Sequence, residues 1–452
     1  MTNCTRREFI QNMSAGILGA GSIGGSKNTK DVSTVQMLGG AITPVESDTI
    51  NKKKLVVMSD IHFGAKQCLL NGESEEGKKN VNKLIGQIKD QQPKEVILLG
   101  DIFDFSLCSL YKTCSNAREF FNQLRNLDGL EVTYIPGNHD HHIWTYIIES
   151  EYFIKPLTEG NNPVADYIEK VVTAGPFKTK FLDQFYPGLK VVYPSTIRTC
   201  GKHRYYFTHG HLVDDIFTIG SDVEKPETLA DLEAFNTWWI EGGWFYLGQA
   251  GKLSEKIRNI YDKKSWIAAF RLGATSFLNG IWKKVEGKYF FKEEPVGVRA
   301  VEPGYIVNYI VNFVPGELPL PFTFVYGHTH EHKEYKLDVS GAKCTILNTG
   351  AWVLEETSKK LEKLPEGIQF PDLLKDKVRY DAEKKLLVFK GVMKEEERKE
   401  LLNLSPDSSY QEVVKKLFQR SLEDGKDEKN SNGFFVLDEI SEKEYDWIGF
   451  GK

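Results

Sequence analysis

Five short runs of β-branched, aliphatic and aromatic residues punctuate the chain, at 54–59, 95–99, 132–136, 205–208 and 322–326. Each is too short for a helix and stops abruptly at glycine, Asp or His, so each predicts a strand. Between the first two, 78–92 carries Val81, Leu84, Ile85 and Ile88 at helical spacing, and 117–127 repeats the pattern with Phe120, Phe121 and Leu124. Strand and helix alternating in this way predict a βαβ-like crossover. The stretch 144–190, rich in Tyr, Phe and Pro, reads as a helix followed by irregular chain. Later, 334–339 and 343–347 predict two strands closing on Asn348-Thr349-Gly350. The charge run 355–363 predicts a solvated helix face, 384–389 a strand, and 394–402 and 410–422 amphipathic helices.

What leaves each of the five strands changes the picture. The exits read Asp60-Ile61-His62, Gly100-Asp101-Ile102-Phe103-Asp104, Gly137-Asn138-His139-Asp140, His209-Gly210-His211 and Gly327-His328-Thr329-His330. One such exit would be an ordinary structural histidine, but five in one chain imply a shared metal site at the carboxyl ends of the strands. Carboxylate and amide oxygens mixed with imidazoles suit Mn, Fe or Zn better than Ca or Mg. Two cations sharing one carboxylate would sit roughly 3.5–4 Å apart, activate a bridging water as hydroxide and clamp an in-line displacement at phosphorus. The departing oxygen then needs a proton, and His139, an imidazole beside the metals but not bound to them, is the candidate general acid. Asp104 either orients that imidazole or caps the helix that follows.

The ordered series DxH, GDxxD, GNHD, HGH and GHTH, from about residue 54 to 352, resembles the calcineurin-like metallophosphoesterase superfamily. That resemblance implies an α/β fold, a four-layered α/β/β/α sandwich with the site at the strand ends. It implies two divalent metal ions: Asp60, His62 and His330 would hold one, Asn138, His209 and His328 the other, and Asp101 would bridge them. The implied reaction is hydrolysis of a phosphodiester or pyrophosphate bond, with a broad phosphomonoesterase and a non-catalytic binding module as alternatives. Asp104 stands where purple acid phosphatases place a metal-binding Tyr, which argues against that branch. His211 would contact substrate or cap its strand, and His141 and His142 read as solvated loop residues; His203 and His332 are given no role.

Residues 213–319 separate HGH from GHTH and are rich in aromatic residues, among them Trp238, Trp239, Trp266, Phe270 and Trp282. They form either a helical subdomain with its own core or a lid that takes a bulky substrate part. A helical insert at this point is similar to the UDP-2,3-diacylglucosamine pyrophosphatase branch. The expected substrates are therefore small phosphate esters, nucleotide-sugars or lipid-linked diphosphates, with transient membrane-surface contact through the lid. Residues 353–452 read as a small α+β extension that packs on the sandwich or pairs chains.

A net charge of −5 over 452 residues offers no basic face for nucleic acid. Six cysteines without paired spacing do not form a disulfide framework, and Cys108 and Cys114 are favoured as free thiols. At the start, Arg6-Arg7 followed by Phe9-Ile10 and a Gly/Ala/Ile stretch matches a twin-arginine export signal, with 1–51 as signal and linker and 52–352 as the phosphoesterase domain. The expected destination is the periplasm, or the cytoplasm if the segment is no signal.

Overall fold

A computed structural model describes residues 49–50, 54–106, 108–164, 175–200, 203–213, 228–250, 303–314, 320–353, 356–375, 377–390, 395–424, 432–438 and 445–450. The twin-arginine segment and the insert's Trp266, Phe270 and Trp282 lie outside them.

The strands are β1 (Thr49–Ile50), β2 (Leu55–Met58), β3 (Glu95–Leu98), β4 (Glu131–Tyr134), β5 (Lys190–Val191), β6 (Ser195–Cys200), β7 (His203–Thr208), β8 (Thr323–Tyr326), β9 (His332–Val339), β10 (Ala342–Thr349), β11 (Glu356–Lys360), β12 (Val378–Asp381), β13 (Leu386–Lys390), β14 (Gly433–Leu437) and β15 (Asp446–Gly449). Two six-stranded sheets run β15-β14-β2-β3-β4-β5 and β1-β6-β7-β8-β10-β9. All five metal-motif strands were legible in the sequence, to within two residues.

Alternation along these strands builds the layers. Val56, Met58, Val96 and Leu98 face a core shared with Val81, Leu84 and Ile88 of helix α1 (Glu75–Gln91) and Phe120, Phe121 and Leu124 of α2 (Leu110–Leu124). Their neighbours Leu55, Val57, Ile97 and Leu99 point the other way, against Tyr205, Phe207, Val325 and Leu347 of the second sheet. The outer face of that sheet, Tyr206, Phe324 and Ile346, is covered by Leu229 and Leu232 of α4 (Leu229–Trp239) and by Ile306, Tyr309 and Ile310 of α5 (Pro303–Phe313). Helix α3 (His142–Ile148) lies between α2 and α4 in the chain. The result is the expected α/β/β/α sandwich, and the described ends of the insert supply its fourth layer.

Side-chain caps fix where the helices begin. Ser74 starts α1 by accepting from Gly77 N–H at 3.0 Å, and Ser109 starts α2. Thr228 and Asp231 form a reciprocal capping box on α4.

The C-terminal hundred residues divide. Sheet β11-β13-β12 packs with helices α6 (Glu395–Asn403) and α7 (Ser408–Asp424) around Leu387, Phe389, Leu401, Tyr410 and Val414. The charge run expected to be helical is instead strand β11, because Glu356–Lys360 pairs antiparallel with Leu386–Lys390 and that ladder overrides local charge pattern. The last segment then returns to the sandwich, where β14 pairs antiparallel with β2, Phe435 opposite Val57. No helix among the described residues is long and apolar enough to cross a membrane.

Candidate metal centre

Three strands of the central set, β2, β3 and β8, end in non-glycine residues turned to the left-handed region, and the turns deliver the side chains. Asp60 (φ 52°), His62 (φ 54°), Asp101 (φ 53°), His328 (φ 70°) and His330 (φ 62°) all occupy it, although none is glycine. Such conformations cost of order 1 kcal/mol or more each and persist only where the surroundings dictate them. Here hydrogen bonds between exits do so: Asp60 N–H donates to Gly100 O at 3.0 Å, His62 N–H to Asp101 O at 2.9 Å and Gly327 N–H to His209 O at 2.8 Å. Glycines make the close approach possible, since a Cβ at Gly100 would strike the His209 ring and one at Gly137 would strike Asp101.

Seven side chains predicted as ligands converge in two groups. In the first, His62 Nε2 lies 3.0 Å from His330 Nε2 and 3.8 Å from Asp60 Oδ1, which is 3.5 Å from His330 Nε2. In the second, Asn138 Oδ1 lies 3.2 Å from His209 Nε2 and 2.9 Å from His328 Nδ1. Asp101 Oδ2 stands between them, 3.7 Å from His62 Nε2 and 3.3 Å from His209 Nε2.

These spacings test whether metals fit. Donors about 2.1 Å from one cation stand roughly 3.0–3.4 Å apart in octahedral or tetrahedral arrangements. The observed separations lie at or slightly beyond that range, so each group fits one cation with little movement. The supporting hydrogen bonds leave the right atoms available. His209 Nδ1 donates to Leu99 O at 2.8 Å, which leaves Nε2 facing the site. Asp60 Oδ2 accepts His328 N–H at 3.0 Å and the Ser59 hydroxyl, and Asp101 Oδ1 accepts His139 N–H at 2.8 Å.

The electrostatics agree. Burial works against the Asp101 carboxylate, but His209, His139 and His62 more than offset it and hold Asp101 well below its ordinary value. Burial likewise opposes a charged His209, yet Asp101 and Asp60 raise it to about 10. The site thus has the negative potential that a dication takes up in place of a proton. Burial and the neighbouring His62 lower His330 to about 4, which keeps that imidazole neutral and able to ligate.

His139 is in neither of these two groups but lies against the first, forming with His62 and Asp104 a third cluster of possible metal donors. Its Nδ1 lies 3.0 Å from Asp104 Oδ1, and its ring packs edge-on against His62 with centroids 4.7 Å apart. Burial lowers its pKa, but Asp101 and Asp104 overcome this and raise it to about 9. Asp104 also approaches His62 Nδ1 at 3.9 Å, so one carboxylate sits beside both imidazoles. The capping alternative for Asp104 falls away, because Ser109 caps α2.

Other expectations change. His211 is buried, 3.1 Å from the Tyr193 hydroxyl, and is not a solvent-facing substrate contact. His141, expected in a solvated loop, is fully buried between Glu233 and Glu241, and His142 joins Glu241 at 2.7 Å. His332 is buried too, stacked 3.8 Å from Trp447. Sequence reasoning gave Asp140 no task, yet it holds the GNHD turn: it accepts Ile102 N–H at 2.7 Å, Phe103 N–H at 3.2 Å, Gly137 N–H at 2.6 Å and the Tyr134 hydroxyl. A carboxylate directly after the ligand turn was the only signal.

The calcineurin-like phosphoesterase family matches residues 53–265. No curated protein sequence matches the chain. Among solved structures, one match is the cold-active protein-tyrosine phosphatase of a psychrophile, Shewanella sp., at 16% identity over 66% of this chain and 71% of that one. The TM-score of that match is 0.24. The family match covers four of the five ligand-bearing exits and the fold places the fifth beside them, so residues 53–265 and the sandwich together support the calcineurin-like metallophosphoesterase superfamily.

Proposed function

We propose that this protein is a two-metal phosphohydrolase that cleaves a phosphodiester or pyrophosphate bond, with His139 as general acid. The observation that carries the reading is Asp101 Oδ2 standing between two complete donor groups, within 3.7 Å of His62 Nε2 and 3.3 Å of His209 Nε2.

Asp60, His62 and His330 would hold one divalent ion, Asn138, His209 and His328 the other, and Asp101 both; Mn, Fe or Zn suits these donors. When bound, the pair supplies Lewis acidity at phosphorus and a nucleophile at neutral pH. The chain's own part begins with charge. Only Asp60 and Asp101 among the proposed ligands are anionic, so the loaded site keeps a positive excess that favours phosphoryl oxygens. His139 then serves the leaving group. With Nδ1 held by Asp104, its Nε2 is the atom with a proton to give, and Asp104 stabilises the imidazolium until it does.

The test is hydrolysis after chelation and reloading with Mn, across bis-p-nitrophenyl phosphate, p-nitrophenyl phosphate, UDP-sugars and a UDP-acyl-sugar. Faster turnover of diester or diphosphate-linked compounds supports the reading. Turnover of the simple monoester alone would replace it with a general phosphatase, and no metal-dependent turnover of any of them would overturn it. The Arg6-Arg7 pair supports export of the enzyme, and cell fractionation of a variant carrying both Arg6→Lys and Arg7→Lys tests that: unchanged export would refute it.

A further inference from the structure

The donor groups and the His139–Asp104 pair are all built on the strand exits, yet three side chains of the insert reach into the loops that carry that pair. Glu233 lies on α4, Glu241 in the π-helical turn Ile240–Phe245, and Gln249 just beyond. On one side they hold the GNHD turn. His141 Nε2 lies 2.8 Å from Glu233 Oε1 and its Nδ1 lies 2.9 Å from Glu241 Oε1, so both ring nitrogens donate to carboxylates. His142 adds a contact to Glu241 Oε2 at 2.7 Å and stacks on Phe245 with centroids 3.5 Å apart. Glu233 is itself fixed, accepting from Thr237 Oγ1 at 3.1 Å and from the Tyr193 hydroxyl at 2.5 Å.

On the other side they hold the loop after Asp104. Gln249 Nε2 donates to Phe105 O at 3.0 Å and Cys108 O at 3.1 Å, while its Oε1 accepts Leu110 N–H at 2.9 Å. The side chain satisfies three backbone groups of one loop. The two loops also meet directly, where Phe105 N–H donates to His139 O at 3.1 Å. His139 therefore has one loop anchored two residues after it, and its carboxylate partner Asp104 has its own loop anchored one residue on, at Phe105.

We propose that the 228–250 segment of the insert is a clasp for the general acid, with Glu233, Glu241 and Gln249 as positioning residues that set the distance and direction between His139 and Asp104. None of the three is a metal donor, and none touches the reacting atoms. The inference rests on the proposed phosphohydrolase reading for its kinetic consequence, while the clasp itself is a statement about hydrogen bonds. A misplaced acid matters only where the leaving group needs its proton, so the clasp should appear as leaving-group dependence.

The experiment uses the Mn-loaded full chain with Glu233→Gln and Gln249→Ala, each against a series of methyl phosphodiesters from nitrophenyl to alkyl leaving groups. We expect kcat to fall roughly 10–100-fold for alkyl leaving groups, the usual effect of losing an orienting partner, and to stay within about twofold for nitrophenyl. KM and metal content should be unchanged. A uniform loss across the series, a loss of bound Mn, or no change in either variant would overturn the clasp. If Glu233→Gln does not fold, Gln249→Ala carries the test alone. Histidine ¹⁵N spectra of the metal-free protein separate this from failure of the functional reading: the His139 Nδ1 resonance should move in both variants even if no substrate is turned over. An unmoved resonance would refute the clasp by itself.

Discussion

Replacing Asp140 with Asn asks how firmly the GNHD turn must be held. The buried carboxylate accepts four hydrogen bonds, three at Oδ2 from Ile102 N–H, Phe103 N–H and the Tyr134 hydroxyl, and one at Oδ1 from Gly137 N–H. Asn keeps the shape but has one carbonyl oxygen. Placed at Oδ2, that oxygen retains three partners, and the amide group then opposes Gly137 N–H, donor against donor. One buried unsatisfied N–H costs about 1–3 kcal/mol, and three bonds that lose their charge assistance cost about 0.5–1 kcal/mol each. The expected loss is about 2.5–6 kcal/mol.

Urea unfolding in chelator reads that loss without a contribution from bound metal. The same substitution loosens Gly137, and with it Asn138, so the affinity of the Asn138-containing group for metal should fall about 10–100-fold. A stability loss under about 0.5 kcal/mol, the range of an ordinary surface change, would refute the view that Asp140 locks the turn.

Further outcomes follow from the same geometry. His139→Ala should lower kcat by roughly 100-fold or more with both metals retained, read by elemental analysis; lost metal would instead make His139 a ligand. Gly100→Ala places a Cβ against the His209 ring at a φ of +82°, so calorimetric titration should show weakened metal binding, and an unchanged isotherm would contradict the packing argument. The His141 clamp has a pH signature. Burial disfavours its charged form, but Glu233 and Glu241 raise it to about 10, so its stabilisation is full below about 6.5 and fades as pH rises to about 10. Glu241, which burial raises but His141 and His142 bring down to about 2, contributes above about 4.5 and loses its effect as pH falls. The gap in urea midpoint between wild type and His141→Gln should therefore be widest near pH 4.5–6.5 and close toward pH 10, and a constant gap would exclude the ion pair.

The candidate metal centre was legible because its residue pattern is local: a strand, a tight turn, then Asp, Asn or His, repeated five times. The left-handed backbone at Asp60, His62, Asp101, His328 and His330 was not, since nothing in the residue types announces it. His141 was misread for a related reason. Its partners Glu233 and Glu241 lie 92 and 100 residues away, and no local pattern shows that a histidine in a loop will be buried by them. Glu356–Lys360 read as a helix face because charge density was all the segment offered, while its pairing with Leu386–Lys390 is a tertiary fact. Strand β14 likewise joins β2 across most of the chain length, a pairing that apolar periodicity cannot specify.

The central claim is that Asp101 joins two cation sites. Elemental analysis and electron paramagnetic resonance of the Mn-loaded protein test it together. The account predicts two Mn per chain with an exchange-coupled signal, and loss of the coupling in Asp101→Asn. One Mn per chain, or two that behave as isolated ions in the wild type, would contradict it.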